Sequence, residues 1–346
     1  MANIDYSQRS FSYYPTDAII SAKCIDGVWT EPELSSKFEL ALHPFAGVFH
    51  YAPSCFEGAK AFRGVDGKVR LFRPDQNALR MQSSAQYLDM PYPSVEMFVD
   101  MCVRCIQANW DYIPPYESGA SLYLRPVLFG INPQLGIKSA NDVMFVVMAS
   151  GVGTYSGAKI LSPGTAVLSR NYDRAATFGS GGYKLGANYA QSLHAYNIAH
   201  NQGYRELLFL DSATHSHIEE FGSSNFFAIK GNTYITTNSP SVLPSITNKC
   251  LRQVAREFGL KVEKRNIYVE ELEHMEEVNS CGTAVVITPI CQIDDKERLE
   301  DEKVTKTYRF ANECGPISRK LYDRIIGIQK GLDEDTYNWC LIVDKK

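Results

Sequence analysis

A glycine-rich break divides the chain near its middle. The segment GVGTYSG, residues 151–157, has three glycines in seven positions and no apolar period, while the sequence on either side mixes strand and helix signals. A stretch of that kind has no face to bury and is expected to link two separately folded parts. Length agrees, because 346 residues exceed the reach of one hydrophobic core, and about 150 residues per domain gives roughly two. The expected division is a smaller N-terminal domain over 1–150, a linker over 151–157 and a larger C-terminal domain over 158–346.

In the first part GVFHYA (47–52), AKAFRG (59–64) and KVRLFR (68–73) read as short strands. Helical periodicity runs from Val95 to Trp110 behind Ser94, and SLYLRPVLFG (121–130) and NDVMFVVMAS (141–150) add two strands. In the second part TAVLSR, ELLFLD, SNFFAI, GTAVVITPI and the terminal WCLIV read as strands. Helices are expected from Asn188 to Gln202, stopped by Gly203, over SITNKCLRQVAREFG, stopped by Gly259, and from Pro316 to Gln329. Gly231-Asn232 marks a hairpin. The alternation from end to end points to a mixed α and β fold.

Charge excludes some partners. With 35 basic and 39 acidic side chains the net charge is -4, so no basic field draws nucleic acid or an anionic membrane. A small-molecule partner is expected. No apolar run approaches the roughly 18 residues of a membrane span, and the N-terminus MANIDYSQRSFSYYP carries Asp5 and no apolar core, so a cytoplasmic protein is expected. Nine scattered cysteines, an odd number, fit free thiols in a reducing compartment. Cys102 and Cys105 form a CxxC inside the helical MFVDMCVRCIQ and read as packing thiols. The seven histidines have no metal-ligand spacing, and GVGTYSG lacks the residues of a P-loop or dinucleotide fingerprint.

Three features carry chemistry. Lys184 lies in SGSGGYKLGANY, where apolar and aromatic neighbours would lower its pKa toward a nucleophilic amine able to form a Schiff base. A solvated lysine in a loop fits that local sequence equally well. Glu220, in HIEEFGSSNFF between two strands, could keep the nitrogen of a bound pyridine ring protonated, with Glu219 as the competing acid. The helix starting near Ser245 has Ile246, Thr247, Asn248 and Lys249 in its first turn and no acid. Its amides and dipole therefore suit a phosphate, although an ordinary N-cap at Ser245 explains the same residues. Arg80 in NALRMQSSA and Thr283 in CGTAVVIT could add a charge and a hydroxyl.

Taken in order, HYAPSCFEGAKAFRG (50–64), RLFRPDQNALRM (70–81), ASLYLRPVLFG (120–130), YKLGANYA (183–190), EEFGSSNFF (219–227), LPSIT (243–247) and CGTA (281–284) resemble the branched-chain aminotransferases. These are pyridoxal 5'-phosphate enzymes of fold type IV, and the likeness covers nearly the whole chain. It implies a two-domain α+β protein, like D-amino-acid aminotransferase, with a small α/β N-terminal domain and a C-terminal domain built on a β-barrel-like core. The implied reaction moves the amino group of L-leucine, L-isoleucine or L-valine to 2-oxoglutarate. Lys184 matches the Schiff-base lysine, which would also shuttle the proton at the substrate Cα. Glu220 matches the partner of the pyridine nitrogen and Tyr189 that of the phenolate oxygen. Arg80, Ile246, Thr247 and Thr283 match the phosphate cradle, and Ser223 matches a further cofactor-binding position.

On the substrate side Thr283 and Ala284 match a turn for the α-carboxylate, and Tyr51, Phe56, Tyr123, Arg125 and Tyr155 match the pocket lining. Aromatic walls suit an aliphatic side chain, and Arg125 or a tyrosine hydroxyl would serve the distal carboxylate of glutamate. The family also implies a homodimer in which the small domain of one subunit approaches the neighbour's pocket. Departures are Val285 and Thr288, where some members carry a redox CxxC, Ala187 in place of a glycine, Ser223 where threonine is common, and the loop ATFGSGG. Competing readings are a D-amino-acid aminotransferase, an aminodeoxychorismate lyase, a cofactor-free Schiff-base enzyme such as an aldolase, and a silent pyridoxal-phosphate binder.

Overall fold

The computed structural model describes residues 4–6, 9–153 and 161–346. The chain folds as two compact units, one made of Met1–Gly157, Tyr183–Ala187 and Ile326–Lys346, the other of Ala158–Gly182 and Asn188–Ile325. The expected division into 1–150 and 158–346 differs in two places. The five residues around Lys184 and the C-terminal tail both return to the first unit.

In chain order the strands are β1 (Ile19–Ile25), β2 (Val28–Trp29), β3 (Glu33–Ser35), β4 (Ser54–Phe56), β5 (Ala59–Arg63), β6 (Val69–Phe72), β7 (Ser121–Gly130) and β8 (Val143–Val152). They continue with β9 (Gly164–Ser169), β10 (Glu206–Leu210), β11 (Ile218–Phe221), β12 (Asn225–Lys230), β13 (Thr233–Thr237) and β14 (Lys261–Arg265). The last are β15 (Glu277–Gly282), β16 (Val286–Asp295), β17 (Lys306–Arg309) and β18 (Cys340–Val343). The helices are α1 (Gly47–Tyr51), α2 (Pro74–Tyr87), α3 (Val95–Ala108), α4 (Gly186–Asn201), α5 (Ile246–Glu257) and α6 (Pro316–Lys330).

The first unit is a sheet in the order β18-β6-β5-β7-β8-β1-β2, with β3 beside β1 and β4 beside β7. The tail earns its place there because WCLIV pairs antiparallel with β6, Cys340 opposite Phe72 and Val343 opposite Val69. Helix α3 begins as expected, with Ser94 Oγ accepting the Met97 N–H at 3.1 Å, and buries Phe98, Met101, Cys102, Cys105 and Ile106 against Leu122, Leu124, Phe145 and Val147. The CxxC is thus core packing, and burial pushes both thiols up. One expected strand is a helix. GVFHYA forms the single turn of α1, because Gly47 and Phe49 donate their N–H groups to Asn132 and Ala46 carbonyls instead of to a sheet neighbour. Its aromatic and β-branched residues favour strand locally, and tertiary contacts override them. Helix α2, with Pro74 in its first turn, had no clear signal in the sequence.

The second unit holds a closed barrel. Strands run β11-β10-β9-β16-β15-β12, and β12 pairs back onto β11, while β13 and β14 extend from β12 and β17 from β16. Closure follows from alternation. Leu168, Leu208 and Leu210 belong to one cluster with Ile218, Phe226, Ala228 and Ile293. Their sequence neighbours Val167, Leu207 and Phe209 belong to another, with Ala195 and Ala199 of α4. A period of two with apolar residues on both faces is what a barrel wrapped by helices requires. Helices α4 and α5 stop at Gly203 and Gly259, whose φ values of 87° and 77° suit glycine. Among the described residues no helix is long and apolar enough to cross a membrane.

Glu206 breaks the pattern. It lies opposite Ala166 on the face that carries Leu208, is 7% exposed, and its Oε2 has no hydrogen-bond partner. Loss of solvation pushes its carboxyl up to about 7, with Arg205 opposing. The folded protein therefore holds this proton more tightly than the unfolded chain, so the group costs nothing below its unfolded value. The cost grows as pH rises toward 7 and is complete above it. Glu206→Gln should stabilise the protein by about 3 kcal/mol more at about pH 8 than at about pH 4. Denaturant titrations at both values check this, and an equal effect at both would contradict it.

Candidate functional site

Lys184 is held by its own backbone. Its N–H donates to Ser84 Oγ of α2 at 2.9 Å, its carbonyl accepts from the Phe56 N–H of β4 at 3.1 Å, and the next residue, Leu185, bridges to Cys55. Tyr183 stacks on Tyr87 with ring centroids 4.1 Å apart. The four-carbon side chain is half-buried, and Nζ stands 4.8 Å from the centre of the Phe56 ring. This is not the geometry of a lysine in a loose loop. An amine anchored at its Cα and lying over an aromatic face can return to one position through repeated bond changes.

Around it in the first unit lie Arg80, Tyr123 and Arg125. Arg80 forks onto Glu57 through Nε at 2.7 Å and Nη2 at 2.8 Å. Glu57 is fully buried and also accepts from Asn77 Nδ2 at 2.7 Å. The arginine expected to face an anion is therefore aimed by a carboxylate, and Glu57 and Ser84 are parts of the site that reading the sequence missed. The FEG stretch holding Glu57 contained the signal, since a glutamate beside glycine in an apolar run needs a buried cation. On β7, Arg125 lies with its guanidinium carbon 4.8 Å from the Phe56 ring centre and donates to the Tyr123 hydroxyl at 3.2 Å. Gly58 leaves room for them, because a Cβ there would come within 2.3 Å of that hydroxyl and Tyr123 would have to shift.

Tyr123 and Arg125 line a cavity of ≈ 290 Å³ with Phe11, Phe38, Met148 and Val152. Its walls are mostly apolar, and the Nε of Arg125 is buried without a hydrogen-bond partner. Such a space takes an aliphatic group and offers one cation to an acid. Tyr51 is elsewhere. It ends α1 at the surface, 43% exposed, with its hydroxyl donating to the Leu135 carbonyl. Tyr155 lies outside the described residues.

The second unit holds the other candidates. Glu220, 3% exposed, forms an ion pair with Arg174, Nη2 to Oε1 at 2.8 Å, and accepts the Leu243 N–H at 3.0 Å and Asn225 Nδ2 at 2.7 Å. Burial pushes its carboxyl up, with Arg174 the largest opposing influence. Its neighbour Glu219 points to the other face of β11 by alternation and is engaged by the hydroxyls of Ser239 and Ser241. At α5, Ser245 Oγ takes the Asn248 N–H at 3.1 Å, so the serine does cap the helix, and the amides of Ile246 and Thr247 remain at an end with no acid in its first turn. Ser223 and Ser224, in the β11–β12 turn, adjoin Gly282 of the β15–β16 turn that carries Thr283 and Ala284. Ser224 Oγ is buried with no partner. Tyr189 sits in the first turn of α4.

Glycine is required in the loop before Lys184. A Cβ on Gly181 would fall 2.1 Å from the Ser241 carbonyl oxygen and 2.6 Å from Arg174 Nη2, so glycine lets protein backbone approach here.

Comparison with known proteins identifies the family. The family model described as amino-transferase class IV matches residues 54–293. The chain belongs to the class IV aminotransferases. It is a transaminase whose cofactor is pyridoxal 5'-phosphate, which sets aside the cofactor-free and silent-binder readings. It is 42% identical over 345 residues to a branched-chain-amino-acid aminotransferase of Helicobacter pylori, covering 99% of each chain. To that of Haemophilus influenzae it is 40% identical, covering 99% of this chain and 100% of the other. The branched-chain amino acid aminotransferase structure of Escherichia coli superposes with a TM-score of 0.77 at 25% identity, covering 95% of this chain and all of that one.

The residues fit the cofactor. A buried carboxylate, an uncompensated helix start and an orphaned buried hydroxyl at Ser224 are the donors and acceptors that a pyridine ring and a phosphate need. The Glu57–Arg80 pair supplies a test of the scaffold. Glu57→Gln should cost about 3 kcal/mol or more of unfolding free energy, because Arg80 is left as an uncompensated, largely buried charge. Guanidinium titration measures this, and a cost below about 1 kcal/mol would show the pair to be dispensable.

Proposed function

We propose that Lys184 is the amine that holds the pyridoxal 5'-phosphate and moves the proton at the substrate Cα. The reaction is the reversible transfer of the amino group of L-leucine, L-isoleucine or L-valine to 2-oxoglutarate, giving the branched-chain 2-oxo acid and L-glutamate. The backbone clamp on Lys184, with Nζ over Phe56, carries the assignment. Bound cofactor supplies an electron sink for the bond electrons released at Cα. In this reading Glu220 keeps the pyridine nitrogen protonated, and Tyr189 serves the phenolate oxygen. The amides of Ile246 and Thr247, with Arg80, Ser223 and Thr283, hold the phosphate. The Thr283–Ala284 turn receives the α-carboxylate. Phe56, Tyr123 and Arg125 receive the side chain, aliphatic in one half-reaction and acidic in the other, with Tyr155 the further residue expected to line it. The D-amino-acid and lyase readings lose ground because the full-length relatives are branched-chain enzymes at 36–42% identity.

A homodimer in the cytoplasm completes the proposal. Phe49, Leu135 and Ile137 are exposed at 62%, 78% and 89%. They gather on one side of the first unit, where Ala46 bridges to Pro133 and Tyr51 bonds to Leu135. An apolar patch of that kind marks a protein contact. All nine cysteines are free thiols, as in a reducing compartment. L135D/I137D should sediment as a monomer where the wild type sediments as a dimer, and an unchanged mass would remove this surface from the interface.

With saturating pyridoxal 5'-phosphate, L-leucine and 2-oxoglutarate should give steady formation of glutamate. Lys184→Ala should reduce it to background without changing the circular dichroism spectrum. Turnover of D-alanine alone, or undiminished turnover in the variant, would contradict the proposal.

A further inference from the structure

We infer that Arg174 is a positioning residue for the cofactor: it keeps Glu220 a carboxylate and leaves one of its lone pairs for the pyridine nitrogen. The inference rests on the assignment of Glu220 above. A carboxylate has about four acceptor positions. Oε1 of Glu220 faces the Arg174 guanidinium, 2.8 Å from Nη2, and accepts the Leu243 N–H, whereas Oε2 accepts Asn225 Nδ2. Oε2 is the less engaged oxygen, and the ring N–H is assigned to it.

Ionisation is the difficulty at this place in the barrel. Burial disfavours the charge on Glu220, and Glu219 lies close enough to disfavour it further. The ion pair that offsets these is the one with Arg174. Were Glu220 to take up a proton itself, it could no longer draw one onto the ring nitrogen, and the electron sink would weaken.

Arg174 is built to stay. It is 7% exposed, and Nη2 also donates to the carbonyl oxygens of Gly181, at 3.1 Å, and Ser241. Its own carbonyl accepts from Gln191 Nε2 of α4. Glycine at 181 leaves room for the guanidinium, since a Cβ there would lie 2.6 Å from Nη2. The same contacts allow a purely structural role, so the test must separate charge from packing.

Arg174→Gln keeps a donor for the two carbonyls and removes the charge, whereas Arg174→Lys keeps the charge and loses the planar fork. Titrating each cofactor-free variant with pyridoxal 5'-phosphate, and measuring kcat, should show Arg174→Gln weakened about ten- to a hundredfold and Arg174→Lys much less. In an E220Q background neither substitution should weaken binding further. Equal losses in the two variants, or losses that multiply with E220Q, would make Arg174 structural. If E220Q alone keeps wild-type affinity and kcat, the Glu220 assignment fails and the inference with it. If only E220Q is impaired, the inference fails alone. Should Arg174→Gln not fold, the infrared difference between wild type and E220Q decides: loss of an ionised carboxylate band is expected, and loss of a protonated carboxyl band would overturn the inference.

Discussion

One antiparallel pair, Glu220 opposite Asn225, closes the barrel of the second unit. The same two residues are joined by a side-chain hydrogen bond of 2.7 Å. Closure and chemistry are therefore coupled, because the strand pairing that removes the sheet's open edges also buries a carboxylate at a defined height in the wall. Everything around that carboxylate answers its loss of water: Arg174 brings charge, Leu243 an amide, and Asn248 steadies Asn225 through a bond of 3.2 Å. A buried acid held this way is costly to the fold unless ionisation is used.

In the first unit the corresponding constraint is the clamp on Lys184. Ser84 is itself tied back to the Arg80 carbonyl at 3.0 Å, so a single turn of α2 carries both the guanidinium aimed by Glu57 and the hydroxyl that fixes the lysine backbone. The fold thus ties the Lys184 backbone and the Arg80 guanidinium to one rigid element, where precision is higher than on loops.

Features with a local cause were legible in the sequence. Gly259 stopping α5, Gly231-Asn232 turning β12 into β13, Ser94 starting α3 and the acid-free start at Ser245 are each set by a few neighbouring residues. Features with a distant cause were not. Nothing near residue 47 says that α1 answers to Asn132, and nothing near Arg80 says that Glu57, 23 positions away, holds it. The return of Tyr183–Ala187 and of the tail to the first unit depends on bonds to β4 and β6 made across more than a hundred residues. Arg174 had no signal of its own, since an arginine in a loop is normally solvated. The family likeness supplied the roles that local reasoning left open, and the structure supplied the residues that hold those roles in place.

Lys184 as the cofactor's amine is the claim on which the account turns, and the chain contains a rival. Lys60 of β5 is buried opposite Tyr123, and burial lowers its amine to about 8, which would make it a competent nucleophile. Reducing the pyridoxal-phosphate-loaded enzyme with borohydride and mapping the labelled peptide distinguishes the two directly. The account predicts a single pyridoxyl adduct on Lys184, in the peptide containing YKLGANY. An adduct on Lys60, or one spread over surface lysines, would contradict it.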